Sequence, residues 1–348
     1  MSAAITVGVI ANPMSGRDVR RLLASASVFN NVEKARMVLR VLGGLGAAGV
    51  ERVWIMPAGG LTAGLFRLLD GMRNGNGRGL PEIALLDMTV RGDARDSAEA
   101  AARMAGNGAA AIVVLGGDGT HRVVAKHCGD VPLCALPAGT NNAFARSREA
   151  TAAGLATGLA AAHPEFAACV AREKLLEVAI NGGAACDSAL VDVAVVPRAP
   201  VGARALFRLE DISEFVATFA DPCSVGLAAV AGLFADIPRS APEALHVRLA
   251  HGGGAGGPRL AAFAPGVLVA AAAREVRRLE PNEPVAIAVG VAGCLALDGE
   301  REIEIRPRDE VEVRLAAGPR TIDVDAVMRR AAQRNFAALH APEKERIP

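Results

Sequence analysis

Ala111-Ile112-Val113-Val114-Leu115-Gly116-Gly117-Asp118-Gly119-Thr120-His121-Arg122-Val123-Val124-Ala125-Lys126-His127 is the stretch that decides the fold. Its first five residues are apolar on both faces of an extended strand, the pattern of a strand buried inside a parallel sheet. Arg122 to His127 reads as a helix. Between the two, glycines let the main chain curl tightly and bring its N–H groups against phosphate oxygens with no Cβ in the way. Thr120 is placed to cap the helix and to offer a hydroxyl, and the helix dipole favours an anion there. An Asp inside such a cradle would repel phosphate unless it bound Mg²⁺ or removed a proton from an incoming hydroxyl. Asp118 is therefore the first candidate for chemistry. Its plain alternative is a cap on a glycine-rich turn.

The same texture extends outward. Ile5 to Ile10, Val53 to Met56, Ile83 to Asp87 and Leu133 to Leu136 are further buried-strand candidates. Helical candidates lie between them at Val19 to Ala26, Asn31 to Leu45, Leu61 to Met72 and Asp93 to Ala105. Alternation of this kind predicts right-handed βαβ units in an α/β fold with an open parallel sheet over residues 1–160. After about Ala150 short β-rich runs take over: Leu175 to Ile180, Leu190 to Val196, Leu245 to Leu249, Val267 to Ala271, Val285 to Val289, Glu302 to Ile305 and Val311 to Leu315. They predict a mostly antiparallel β-rich second domain over 161–317. Phe207 to Phe219 reads as a helix within it and His251 to Pro258 as a flexible loop tip. Residues 318–348 hold a strongly helical segment, Val324 to Leu339, whose apolar stripe needs a surface to cover.

Composition excludes several functions. A formal net charge of +1 over 348 residues lacks the footprint of a nucleic-acid binder. With no Tyr and only Trp54, base stacking has little to work with. Lys occurs only at Lys34, Lys126, Lys174 and Lys344, so Arg carries nearly all the positive charge. The six cysteines stand singly in apolar stretches without C-x-x-C spacing and read as buried free thiols in a reducing cytosol. No basic leader precedes the first strand, and the apolar run from Cys223 to Ala235 is too short to span a bilayer. A cytoplasmic protein without stable membrane association is expected.

Gly44-Leu45-Gly46-Ala47-Ala48-Gly49 satisfies G-x-G-x-x-G letter for letter. A dinucleotide fingerprint must follow a strand and open a helix, whereas these glycines close a helix and lead into Val53 to Met56. They are read as a helix end without a ligand. No G-x-x-x-x-G-K-[ST] occurs, which removes the ordinary P-loop.

Gly116 to Thr120 in its strand-to-helix setting resembles the nucleotide-phosphate motif shared by NAD kinases and by diacylglycerol and sphingosine kinases. Asn12-Pro13-Met14-Ser15-Gly16 is similar to the turn that opens the lipid-kinase catalytic domain. Leu136-Pro137-Ala138-Gly139-Thr140-Asn141-Asn142-Ala143-Phe144-Ala145-Arg146 is similar to L-P-x-G-T-x-N-D-x-A-R, and Leu297-Asp298-Gly299-Glu300 to a D-G-E near the end of the second domain. Asn12 to Arg21, Phe29 to Lys34 and Gly116 to Arg122 together look like the acetoin catabolism protein X branch of the NAD kinase superfamily. The chain departs from its relatives at Ala143, where the lipid kinases carry an acid, and at Asn181-Gly182, where NAD kinases would carry an acidic partner to Asn.

The resemblance implies roles for residues. Backbone N–H groups of Gly117, Gly119 and Thr120, with Gly116 in the turn, would hold the phosphates of ATP. Asn12, Pro13, Ser15, Gly16 and Arg17 would contribute from one neighbouring loop and Gly139, Thr140, Asn141 and Asn142 from another. Asp118 and Asp298 would hold Mg²⁺, with Asp118, Asp298 and Glu300 as the catalytic acids. The plain alternative for Asp298 and Glu300 is an exposed hairpin turn with solvated acids. Arg17 is read as a phosphate clamp, Arg20 and Arg21 evenly as clamp or solvated face, and Arg122 as a stabiliser of transition-state charge. Asn31, Glu33 and Lys34 read as a helix-start cap and an exposed charge pair unless they reach the cleft. His121 is read as structural, and Asp118→Asn is expected to leave the turn intact. The C-terminal helix is expected to return to the first domain, which makes the second an insertion. The implied function is an ATP-dependent kinase acting on a hydroxyl of NAD or a small metabolite, tied to acetoin breakdown, in a chain that can form homo-oligomers. Its rivals are a nucleotide-binding regulator without turnover and a lipid kinase.

Overall fold

Strands that are apolar on both faces leave the sheet two surfaces to cover, and the first half covers them with helices. The computed structural model describes residues 4–16, 29–73, 79–140, 142–197, 208–250 and 257–334. Strands β1 (Thr6–Ala11), β2 (Arg52–Ile55), β3 (Glu82–Leu85), β4 (Ala111–Gly116) and β5 (Leu133–Pro137) pair in parallel in the order β3-β2-β1-β4-β5. Every residue of β1 and β4 is buried. The winding direction reverses between β1 and β4, and in open α/β sheets that point leaves a crevice at the carboxyl ends of the strands.

Helices α1 (Asn31–Ala47), α2 (Gly60–Arg73), α3 (Ala94–Gly106), α4 (Asp118–His127) and α5 (Ala150–Ala162) connect and flank these strands. Helix α4 starts four residues earlier than the sequence suggests, with Gly117 rather than Thr120 at its N-cap. Helix α5 has no counterpart among the predicted elements: its Ala-Gly composition, ATAAGLATGLAAA, carries no amphipathic stripe because nearly all of it is covered. Helix α1 accommodates it through glycines. A Cβ on Gly44 would lie 2.3 Å from the Thr151 carbonyl oxygen, and one on Gly154 would lie 2.2 Å from the Val41 carbonyl oxygen. The G-x-G-x-x-G stretch is thus a backbone-to-backbone packing face, ended by Gly49 in the left-handed region at φ +83°.

The second half builds on the same sheet. Strands β6 (Val170–Ile180), β7 (Asp187–Ala189) and β8 (Asp192–Pro197) are followed by β9 (Glu214–Ala217), α6 (Leu227–Gly232), β10 (Ala244–Leu249), β11 (Arg259–Ala264), β12 (Val267–Ala271) and β13 (Ala273–Leu279). Then come β14 (Pro284–Ala288), β15 (Gly293–Leu297), β16 (Glu300–Ile305), the 13-residue β17 (Glu310–Ile322) and helix α7 (Val324–Gln333). β17 pairs antiparallel with β6 and, at Thr321 opposite Leu133, parallel with β5, so one sheet runs through both halves. A six-stranded antiparallel sheet, β13-β10-β9-β8-β15-β16, packs against that extension through Val193, Val216, Leu295 and Val313 among others. Its other face is covered by α6 and the β11–β12 hairpin. Val327 and Ala331 of α7 join the core of the first half.

Over its described part, residues 208–219, the segment predicted as a helix from Phe207 to Phe219 is not one. Leu209–Asp211 makes one 3₁₀ turn and β9 follows, with Phe215 in one apolar cluster and Val216 in another. Alternate residues facing two cores is a strand's period of two. Cys186 and Cys223 are exposed, against the expectation of burial, while the other four cysteines are buried. Val19 to Ala26, Phe207, His251 to Gly256 and the end of the helix predicted to Leu339 lie outside the described residues.

Alanine normally stabilises a helix relative to glycine by up to about 1 kcal/mol. Gly43→Ala, with nothing within 4 Å of the new Cβ, should follow that rule. Gly154→Ala should instead destabilise by about 1–3 kcal/mol through overpacking. Chemical denaturation of the two variants checks the opposite signs.

Candidate functional site

Parallel pairing of β1, β4 and β5 sets three loops side by side at the carboxyl ends of the strands. After β1, Asn12 Oδ1 accepts from Met14 N–H at 2.8 Å and Ser15 Oγ donates to the Asn12 carbonyl at 3.0 Å, folding Asn12 to Gly16 into a turn. Asn12 Nδ2 then donates to Thr120 Oγ1 at 2.8 Å, which ties this turn to the first turn of α4. After β5, Asn142 closes the third loop by accepting from Gly139 N–H at 3.0 Å and donating to its carbonyl at 2.9 Å. Asp118 joins the second loop to the third, its two carboxylate oxygens accepting from Ala143 N–H at 2.8 Å and Phe144 N–H at 3.0 Å.

The glycines serve this convergence more than an open cradle. A Cβ on Gly139 would sit 2.5 Å from Gly117 Cα, and one on Gly116 would sit 2.4 Å from Thr120 Cβ. The Gly119 position has room on the cleft side, where Glu300 Oε1 would lie 3.5 Å from an added Cβ. Thr120 N–H and His121 N–H both turn to the Gly117 carbonyl, at 2.9 and 3.1 Å. Thr120 is therefore drawn into the loop network through both backbone and hydroxyl.

Lys34 corrects the sequence reading most. It is 1 % exposed, not a surface charge, and its Nζ donates to the Asn12 carbonyl at 3.0 Å and the Ser15 carbonyl at 2.7 Å beneath the first turn. The helix cap is Asn30 rather than Asn31, accepting from Glu33 N–H at 2.9 Å. Glu33 pairs outward with Arg40.

Asp298 belongs to the β15–β16 hairpin turn, where it and Gly299 take consecutive positive φ values of 52° and 79°. Its side chain is fully buried. Its oxygens accept from Val191 N–H at 2.7 Å, Leu190 N–H at 3.1 Å and Asp192 N–H at 3.3 Å. Burial pushes its pKa up to about 6, with the Arg122 guanidinium pulling the other way. Arg122 is itself buried and stands 3.7 Å from Asp298 and 3.6 Å from Asp187, while Lys126 also pairs with Asp187. Helix α4 thereby grips the second half through two cations.

Asp118 and Asp298 both give carboxylate lone pairs to backbone N–H groups. Among the described residues no group of three or more His, Cys, Asp or Glu is set to hold a metal ion. The buried Thr140 Oγ1 has no hydrogen-bond partner among the described residues, and Thr140 borders a cleft of about 480 Å³ together with Asn12, Gly119, Arg122, Lys126 and Glu300. An acceptor for that hydroxyl and for the N-terminal end of α4 is what a phosphate group offers. His121 lies buried behind the loop with Nδ1 donating to the Gly117 carbonyl at 2.8 Å. Burial lowers its pKa to about 4, so it is neutral at pH 7. Of the predicted site, Asn12, Ser15, Gly16, Gly117, Asp118, Gly119, Thr120, Gly139, Thr140, Asp298 and Glu300 line the cleft and Pro13, Gly116 and Asn142 belong to the same three loops, while Arg17, Arg20, Arg21 and Asn141 lie outside the described residues. Asp187, which no motif marks, joins the cleft, and Asn181 stands apart in its own turn with Asp309 and Glu310.

Asp118→Asn does not leave the turn untouched in this geometry. An amide offers one acceptor and sets an N–H against one of the two backbone donors. The variant should lose about 1–3 kcal/mol of stability. An unchanged melting temperature would contradict the double N–H anchor.

The chain matches the ATP-NAD kinase N-terminal domain over residues 7–163 and the acetoin catabolism protein X C-terminal domain over residues 174–318. It is 42% identical over 336 residues to acetoin catabolism protein X of Cupriavidus necator, covering 95% of this chain and 93% of that one. Among solved structures it is similar to a yeast NADH kinase complexed with NADH, at 12% identity and TM-score 0.50 over 95% of this chain and 88% of that one. It is also similar to a diacylglycerol kinase from Bacillus anthracis, at 13% identity and TM-score 0.47 over 92% and 98%. No helix among the described residues is long and apolar enough to cross a membrane. The open parallel sheet with its antiparallel partner is the NAD kinase-like fold, and the chain belongs to the acetoin catabolism protein X family of the NAD kinase-like superfamily.

Proposed function

We propose that the chain is a kinase that transfers the terminal phosphoryl group of ATP to a hydroxyl of NAD or a related small metabolite. The observation that carries this reading is the convergence of three loops at the switch point around one hydroxyl, Thr140 Oγ1, that lacks a partner among the described residues. In the reaction the acceptor oxygen bonds to the γ-phosphorus, the bond to the β-phosphate oxygen breaks to release ADP, and the acceptor proton leaves to a carboxylate. Glu300 is the carboxylate we assign to that proton, because it stands at the open side of Gly119 and is less enclosed than Asp298. Gly119 N–H, Thr140 Oγ1 and the Arg122 and Lys126 cations would bind and orient the phosphates, so catalysis rests on positioning and charge. Asp118 fixes the third loop in this account rather than acting on substrate. No step is assigned to a metal.

A second reading, a nucleotide-binding regulator without turnover, is favoured by one observation: Asp118 and Asp298 are both engaged by backbone N–H groups. Following ATP consumption against NAD, NADH, small diols and diacylglycerol separates the two. Turnover is expected with one of the first three, and Glu300→Gln should lower it by about 10²–10⁴-fold with the melting temperature unchanged. Nucleotide binding with no consumption on any acceptor would overturn the kinase reading.

A further inference from the structure

The peptide joining Ala143 to Phe144 is held from both sides. Its N–H donates to Asp118, and its carbonyl accepts from the Arg239 guanidinium. The N–H and C=O of a trans peptide point in opposite directions, so Arg239 stands across the loop from the phosphate-side cleft. There it borders a second cleft of about 350 Å³, lined among others by Phe144, Arg146, Arg172, Arg239 and Ser240.

Four guanidinium groups reach this cleft. Arg148 is neutralised by Asp325 and Arg172 by Asp130. Arg239 makes no ion pair among the described residues. Its guanidinium lies 3.9 Å from the centroid of the Phe219 ring, which fixes its direction. Arg146 is exposed and takes part in no hydrogen bond or ion pair among the described residues. Two carboxylates share the wall: Glu173 accepts from the Thr321 hydroxyl at 2.7 Å while its charge also acts on Arg239, and Asp323 accepts from Ala326 N–H at 3.0 Å. Two like charges, one of them clamped, therefore face a shared cavity with no ion-pair partner among the described residues, the charges of Glu173, Asp118 and Asp221 acting on Arg239 only from a distance.

We propose that this cleft binds a small anion carrying a carboxylate or phosphate group between Arg146 and Arg239. Guanidinium forks match both groups in geometry. Occupancy pulls on Arg239, and through the Ala143 carbonyl it is felt at the peptide that anchors Asp118. The site is independent of whether the chain turns ATP over.

Titration of the full chain with malonate and, separately, with inorganic phosphate tests this by calorimetry and by the backbone amide signal of Phe144. Binding of at least one probe below ~10 mM is expected, with the Phe144 signal moving on saturation. Arg146→Gln should weaken that probe about tenfold without altering the melting temperature. Gly119→Val, which blocks the other cleft, should leave it unchanged. The stronger probe names the group preferred. Should neither bind, or should Gly119→Val abolish binding that Arg146→Gln leaves intact, the second site does not exist. Arg239→Lys, which keeps the charge, guards against misfolding of bolder variants: its malonate affinity should fall and the Phe144 signal should no longer respond.

Discussion

Two backbone N–H groups on one carboxylate hold the site of this protein together. Asp118 sits in the first turn of α4 and reaches across to Ala143 and Phe144, so the loop after β4 and the loop after β5 cannot move independently. Everything at the cleft follows from that link. Gly117 and Gly139 must lack side chains because the loops are drawn to within contact, and Thr140 is left facing the cleft. The same peptide is pinned from behind by Arg239, a residue of the second half. Asp298 does the matching work on its own side, gathering Leu190, Val191 and Asp192 under Arg122. Two acids that look catalytic in the sequence thus also tie the backbone together, and they lie close enough that the charge of Asp118 raises the pKa of Asp298.

The chain's use of its few lysines fits this picture. Arginine serves nearly every surface ion pair, whereas Lys34 is buried beneath the first loop among carbonyl oxygens. Lys174 is half-buried with Nζ donating to the Glu243 carbonyl at 2.7 Å, and burial lowers its pKa to about 8. A compact ammonium with three donors suits a cluster of carbonyls, where a planar fork would not fit. In a chain with only four lysines, Lys34 at the start of a helix was therefore a readable signal for a buried tie, and the charge-pattern reading passed over it.

Much of the fold was legible because its strands are apolar in unbroken runs. β1, β4, β10 and β12 stand within a residue of where the pattern puts them. What escaped has physical causes. Helix α5 is Ala and Gly on every side and has no stripe to read. The segment around β9 spaces Ile212, Phe215 and Phe219 as a helix would, yet tertiary packing places Phe215 and Val216 in different cores. The three loops were visible through their glycines, but the partners of their acids were not. Asp118 bonds to residues 25 and 26 positions away and Asp298 to residues more than a hundred positions away, distances over which sequence pattern says nothing about which side of a carboxylate is occupied.

The central claim is that nucleotide phosphate enters where the three loops meet. Amide hydrogen exchange with and without ATP tests it directly. Binding at this place predicts slowed exchange in residues 12–16, 117–120 and 139–144 together, since the loops share Asn12, Thr120 and Asp118 as ties. Slowed exchange confined to the α1 glycines at 44–49, or no change in any of the three loops at saturating ATP, would contradict it.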